Sequence, residues 1–251
     1  MFTPTQRSSL LKELIRAAED DDSVVGAVQV GSLAKGDGDE WSDIDLMLRI
    51  EPEGDMDAVV ARWTERFYAA HGAVHHLDVR RGATLYRVFL LDTTLQVDVS
   101  FWPFEQFVAY GHGFKQLFGD PIRVTEPAES DAAQLLGMAW LYALHSRSSI
   151  ARGKPWQAVT MLDELRDQVL ALACLRHGLR AYQGRDADRL PDAVKAELLA
   201  ARARSISLPD LAASHAALLR MLMSEARHVL GEGESTARLE RALETLAQTA
   251  T

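Results

Sequence analysis

The sequence predicts an α+β chain in which an amino-terminal mixed sheet with flanking helices is followed by an all-α helical bundle. Three observations predict it. Helical and strand periodicities alternate through the first half, and strand signal almost vanishes from Ser130 onward. The third is bulk composition: 251 residues, 47% hydrophobic and 25% charged, are ordinary values for a soluble globular protein of one large or two ordinary domains. The change of pattern after Pro121 sets the expected division at residues 1–126 and 127–251.

The elements follow in order. Leu10, Leu11, Leu14, Ile15 and Ala18 form one stripe of an amphipathic helix within Thr5–Glu19. Val24–Val30 reads as a short β-branched strand stopped by Gly31, and Ile44–Ile50 as a second strand. In that second strand Ile44, Leu46 and Leu48 lie opposite Asp43, Asp45 and Met47. Met56, Val59, Val60, Trp63 and Phe67 have helical spacing and mark a crossover helix. Ala83–Leu91 and Thr94–Phe101, joined at Asp92-Thr93, suggest a hairpin. His75-His76 reads as an exposed pair in a loop.

The second half gives about five helices. Leu135, Met138, Leu141 and Leu144 start one stripe, and Val159, Leu162, Leu165, Val169 and Leu172 a second. Leu218, Leu222 and Val229 lie on a third, and Leu239, Leu243 and Leu246 on a terminal helix. Gly231 and Gly233 read as an interhelical turn. The run Asp163–Asp167 reads as a solvated face around Leu165, with an acidic wall for a substrate as its alternative.

Charge and cysteine usage exclude several classes. A net charge of −9 repels nucleic acid phosphates, so no DNA partner is expected, while a cationic small molecule is tolerated or attracted. No apolar run approaches the roughly 20 residues that span a bilayer, and the first residues lack a signal-peptide layout. With a single cysteine, Cys174, no disulfide frame is expected and a cytoplasmic location is. Cys174 with His177 supplies one metal-ligand pair where a structural zinc site needs two.

The chemistry is concentrated in residues 28–46. A strand ends at Gly31-Ser32, a glycine-rich loop follows, and a second strand opens with Asp43-x-Asp45. Gly31 permits a tight turn and close approach of a phosphate to backbone amides, and Ser32 adds a hydroxyl. Asp43 and Asp45, two apart on a strand, point to one side. Two carboxylates so close repel, and a hard divalent cation such as magnesium removes that penalty. Asp98, between Val97 and Val99, points away from an apolar face and is the expected third acid. Asp92 is the alternative if the hairpin register differs.

These residues carry a resemblance. The pattern of a hydrophobic residue before Gly31-Ser32, ten residues, Asp43-x-Asp45, then a later strand acid resembles the nucleotidyltransferase superfamily of DNA polymerase beta. The fuller strings Gly31-Ser32-x-Ala34-Lys35-Gly36 and Ser42-Asp43-Ile44-Asp45-Leu46 are most similar to its small bacterial antibiotic nucleotidyltransferases. Phe118-Gly119-Asp120-Pro121 before Ile122-Arg123-Val124 extends the resemblance, which covers residues 24–124. A helical second domain is similar to the aminoglycoside and lincosamide enzymes.

The resemblance implies an enzyme that transfers a nucleoside monophosphate, AMP from ATP, to a hydroxyl of a small molecule such as an aminoglycoside, releasing pyrophosphate. It implies that Gly31 and Ser32 hold the triphosphate and that Lys35 contacts a phosphate. Asp43 and Asp45 would bind Mg2+, and Asp98 would complete the metal site or act as general base. A binding-only antitoxin module and an enzyme acting on a protein or RNA end stay open as alternatives, as does a homodimer.

Overall fold

The computed structural model describes residues 1–111, 113–120, 122–126 and 130–248; Pro121 lies outside the described residues. The chain divides into two compact units, Met1–Ala128 and Glu129–Thr251. Among the described residues, no helix is long and apolar enough to cross a membrane.

The first unit opens with α1 (Pro4–Glu19), started by a capping box in which Thr3 and Gln6 satisfy each other's free backbone amides. Then come β1 (Val24–Gln29), the one-and-a-half-turn α2 (Gly31–Lys35), β2 (Ile44–Ile50) and α3 (Met56–Ala70). Further strands follow: β3 (Ala73–Arg81), β4 (Thr84–Leu91), β5 (Gln96–Pro103), β6 (Val108–Tyr110) and β7 (Lys115–Gly119). A last one, β8 (Arg123–Thr125), pairs in parallel with β6. The main sheet runs β3-β4-β5-β2-β1-β7, mixed because β2 and β5 are parallel while the other neighbours are antiparallel.

Alternation builds the core. Ile44, Leu46 and Leu48 of β2 and Val97, Val99 and Phe101 of β5 share one buried face with Leu14 and Ala18 of α1 and Trp63 and Phe67 of α3. Phe67 stacks on Phe89, and Trp63 meets Phe101 edge-on. The opposite face carries a smaller cluster of Val28, Met47, Trp102, Phe107 and Val108.

Two expectations for the first unit need correction. His75-His76 belongs to β3, not to a loop. Its alternation is hard to read because β3 is an edge strand whose Val74, Leu77 and Val79 are exposed. The second arm of the hairpin starts at Gln96, since Thr94 takes a left-handed φ of 67° inside the turn. Beyond those two, Phe118 and Gly119 end β7, and Arg123 and Val124 open β8.

The second unit holds α4 (Ala132–Ala151), α5 (Pro155–Arg176), α6 (Asp192–Ala200), α7 (Leu208–Leu230) and α8 (Glu234–Gln248). Asp131 caps α4 and Ser207 caps α7. The buried residues of α4 are Leu136, Ala139, Ala143, Ser146, Ser149 and Ile150, beside the expected leucine stripe. Small residues occupy its centre, and Leu135, Met138, Leu141 and Leu144 flank it half-buried. Cys174 is buried in α5 and His177 ends that helix. Around buried Leu165, Arg166 pairs with both Asp163 and Asp167, which accounts for that run as a solvated face.

Titratable side chains also sit inside the bundle. Glu225 of α7, 3% exposed, accepts three hydrogen bonds of 2.9–3.1 Å from Arg176 of α5. His215 of α7 is fully buried; its Nε2–H donates to the Ala143 carbonyl at 2.9 Å, while Nδ1 has no partner. Burial pushes the His215 pKa below its ordinary value, against the Ala143 bond, and Arg147 pushes the same way as burial. Because the unfolded chain then binds a proton that the folded one refuses, stability holds above about pH 6.5 and falls below it, by up to roughly 1.4 kcal/mol per pH unit. Thermal unfolding at pH 7.5 and 5.5 should show this loss, and His215→Leu should flatten it; an equal slope in both proteins would refute the assignment.

Candidate active site

The site is built where β1, β2 and β5 present their carboxyl and amino ends to one another. After β1 the chain turns at Val30, whose amide donates to the Asp45 carbonyl at 3.2 Å, tying the turn to β2. Gly31 follows with a φ of 76°. A Cβ built on it would run into the Asp45 carboxylate, so the space the glycine leaves is filled by that acid. The sequence points to phosphate approach at this glycine; the structure adds that any side chain here would displace Asp45.

β2 and β5 are in register so that Asp45 lies directly beside Asp98, with Ile44 beside Val97 and Leu46 beside Val99. Asp43 precedes β2 by one residue. Asp43, Asp45 and Asp98, all half-buried, offer carboxylate oxygens that lie within 4.8 Å of one another. Among the described residues this is the one group of histidines, cysteines and acids with metal-holding geometry. Hard oxygen donors at this density suit Mg2+ or Mn2+.

Gln96, two residues before Asp98 on the same face, is a site residue that the sequence does not flag. Its Nε2 donates to Asp98 Oδ1 at 3.0 Å and to Asp43 Oδ2 at 3.4 Å, so one amide bridges two acids. Burial raises the Asp98 pKa, the Gln96 bond opposes that, and the Asp43 charge raises it further. Asp92 lies in the hairpin turn, its amide donating to the Gly72 carbonyl, and is not one of the three clustered acids.

The acidic loop between α2 and β2 also has an order that the sequence does not show. Ser42 Oγ donates to Asp39 Oδ1 and accepts from the Asp39 amide and from Ser32 Oγ, each at 2.9 Å. The Asp39 carboxylate also accepts the Trp41 amide at 3.0 Å; the Ser42 bond, then the Trp41 bond, holds its pKa below the usual carboxylate value. Ser32 is thus joined directly to Ser42, the residue before Asp43. Lys35 closes α2, and its stem lies over Gly113, where a Cβ would collide with it. Trp41 is 69% exposed.

Across the sheet the row Asp45–Asp98 continues to Val88 of β4 and Leu77 of β3, so the acids border an apolar strip that ends in exposed Leu77.

Residues 11–115 match the family model described as "Nucleotidyltransferase domain". Over that segment, which is less than half of its length, the chain is similar to a nucleotidyltransferase domain. All of Gly31, Ser32, Lys35, Asp43, Asp45 and Asp98 fall inside the matched segment, and its chemistry is nucleotidyl transfer. Two solved structures align with the chain. One is an aminoglycoside 6-adenyltransferase from Bacillus subtilis, 11% identical over 94% of this chain and 96% of that one, with a TM-score of 0.38. The other is a nucleotidyltransferase-like protein from Exiguobacterium sibiricum, 13% identical over 97% and 89%, with a TM-score of 0.37. No curated protein matches the sequence.

The glycine contact can be checked by comparing two alanine substitutions. Gly31 and Gly36 both have positive φ, but only Gly31 has a neighbour where a Cβ would go. Gly36→Ala should cost about 1 kcal/mol of backbone strain, and Gly31→Ala distinctly more because Asp45 must move. Urea midpoints of the two variants should differ in that order; equal midpoints would show that the contact with Asp45 carries no weight.

Proposed function

We propose that the nucleotidyltransferase domain transfers AMP from ATP to a hydroxyl of a small cationic acceptor such as an aminoglycoside. The observation that carries the reading is the convergence of Asp43, Asp45 and Asp98 within 4.8 Å, inside a segment that matches a nucleotidyltransferase domain. In this reading residues 1–126 are the catalytic domain and 127–251 the helical one. The net charge of −9 favours a cationic acceptor.

Asp43 and Asp45 would hold Mg2+, with Asp98 beside them. Bound there, the cation supplies charge neutralisation for the triphosphate. Gly31 and Ser32 would meet the phosphates, with Ser32 oriented by its bond to Ser42. Lys35, at the end of the same short helix, would contact a phosphate. Asp98 takes the proton from the acceptor hydroxyl as its oxygen attacks the α-phosphorus. The bond from that phosphorus to the bridging oxygen breaks, and pyrophosphate leaves. An acid whose pKa is raised by burial is better matched to this task than an exposed one.

Two outcomes test the reading. ATP binding followed by calorimetry should strengthen with Mg2+, because three clustered carboxylates repel a triphosphate without a cation; equal affinity in EDTA would count against the metal site. Incubation with Mg2+, each nucleoside triphosphate and a panel of aminoglycosides should release pyrophosphate with ATP; no release with any acceptor would defeat the substrate assignment.

A third outcome divides the acids. Asp98→Asn should lower turnover by on the order of 10²–10⁴ while Mg-ATP affinity is retained, the signature of a positioned base. A parallel loss of affinity and turnover would instead make Asp98 chiefly a metal ligand.

A further inference from the structure

Arg7 lies on the inward face of α1, in line with Leu14 and Ala18, where an apolar side chain would pack most cheaply. It is 5% exposed. Withdrawing a guanidinium from water costs several kcal/mol unless its donors are met, and an apolar substitute is often the more stable choice. Here the compensation is partial, since the buried Nε has no partner. What the charge does engage is therefore informative.

Its Nη1 donates to two backbone carbonyls, Asp39 at 2.6 Å and Ser42 at 2.8 Å. One nitrogen thus gathers both ends of the 39–42 turn. Inside that turn the Asp39 carboxylate accepts from the Trp41 amide and the Ser42 hydroxyl, and the Ser42 amide reaches the Asp39 carbonyl at 3.4 Å. The next residue is Asp43, and the one after it is Ile44, fully buried at the start of β2. Asp43 is therefore held from both sides: by the strand after it and by the Arg7-bound turn before it.

We infer that Arg7 is a positioning residue, whose buried guanidinium sets the place of Asp43 in the acid trio through the carbonyls of Asp39 and Ser42. The inference rests on the reading of that trio as a divalent-metal site. It requires no contact between Arg7 and metal or substrate; loss of a supporting group behind a metal ligand characteristically lowers affinity 10–100-fold.

The test is Mn2+ alone, titrated into the full chain and followed by the loss of its free electron paramagnetic signal. Four variants accompany the native protein: Arg7→Met, Arg7→Lys, Asp43→Asn and the double Arg7→Met/Asp43→Asn. Arg7→Met should weaken Mn2+ binding 10–100-fold, and Arg7→Lys, whose ammonium can still donate to both carbonyls, should recover most of it. In the Asp43→Asn background Arg7→Met should have no further effect, because the ligand it positions is gone.

Native-like Mn2+ binding by Arg7→Met, or its full effect persisting without Asp43, would overturn the inference while leaving the metal site standing. Native affinity in Asp43→Asn would overturn both, at the earlier step. Should Arg7→Met not fold by circular dichroism, Arg7→Gln, which keeps one amide donor group, takes its place with the same criteria.

Discussion

The in-register parallel pairing of β2 with β5 is the constraint on which the site depends. It sets Asp45 beside Asp98, an arrangement that electrostatics alone opposes. The pairing is enforced from the other side of the sheet. Ile44, Leu46, Val97 and Val99 are buried against α1 and α3, and a slip of one residue would exchange them with the acids. The hydrophobic core thus fixes the positions of the charges, and Gln96, Gly31 and the 39–42 turn adjust them.

Those charges were legible in the sequence to the extent that alternation exposes them. Asp43 and Asp45 stand out against Ile44 and Leu46, and Asp98 against Val97 and Val99, because a period of two sends the acids to the face opposite the buried aliphatics. The supporting residues carry no such signal. Gln96 is an ordinary polar residue near a strand start. Ser42 acts through a hydroxyl whose partners, Asp39 and Ser32, are identified only once the loop is folded. Arg7 sits in a helical stripe that reads as beginning at Leu10, because charged residues are normally taken for the solvent face.

The fold shows the same division. β1, β2, β4 and β5 were readable as β-rich runs, and α4, α5, α7 and α8 of the second unit as apolar stripes. β3 was not, since an edge strand with exposed valines and a leucine on it lacks the one-sided pattern. In α4 large apolar residues marked the margin of the buried line, where Leu135 and Leu144 pack against the core, because alanine and serine occupy its centre. Polar groups inside the bundle, Glu225 with Arg176 and His215 with the Ala143 carbonyl, depend on partners far along the chain.

The parallel pairing also has a kinetic side. Adjacent parallel strands require a crossover, and here everything from α3 through β4 lies between β2 and β5. Contacts of such long sequence separation form only after the loop-closure entropy has been met, which places them late in assembly. A nascent or partly folded chain can therefore possess Asp43 and Asp45 on one strand while still lacking the third acid beside them. Carboxylate convergence is thus tied to the docking of β5 on β2, and whatever separates those two strands also disperses the trio.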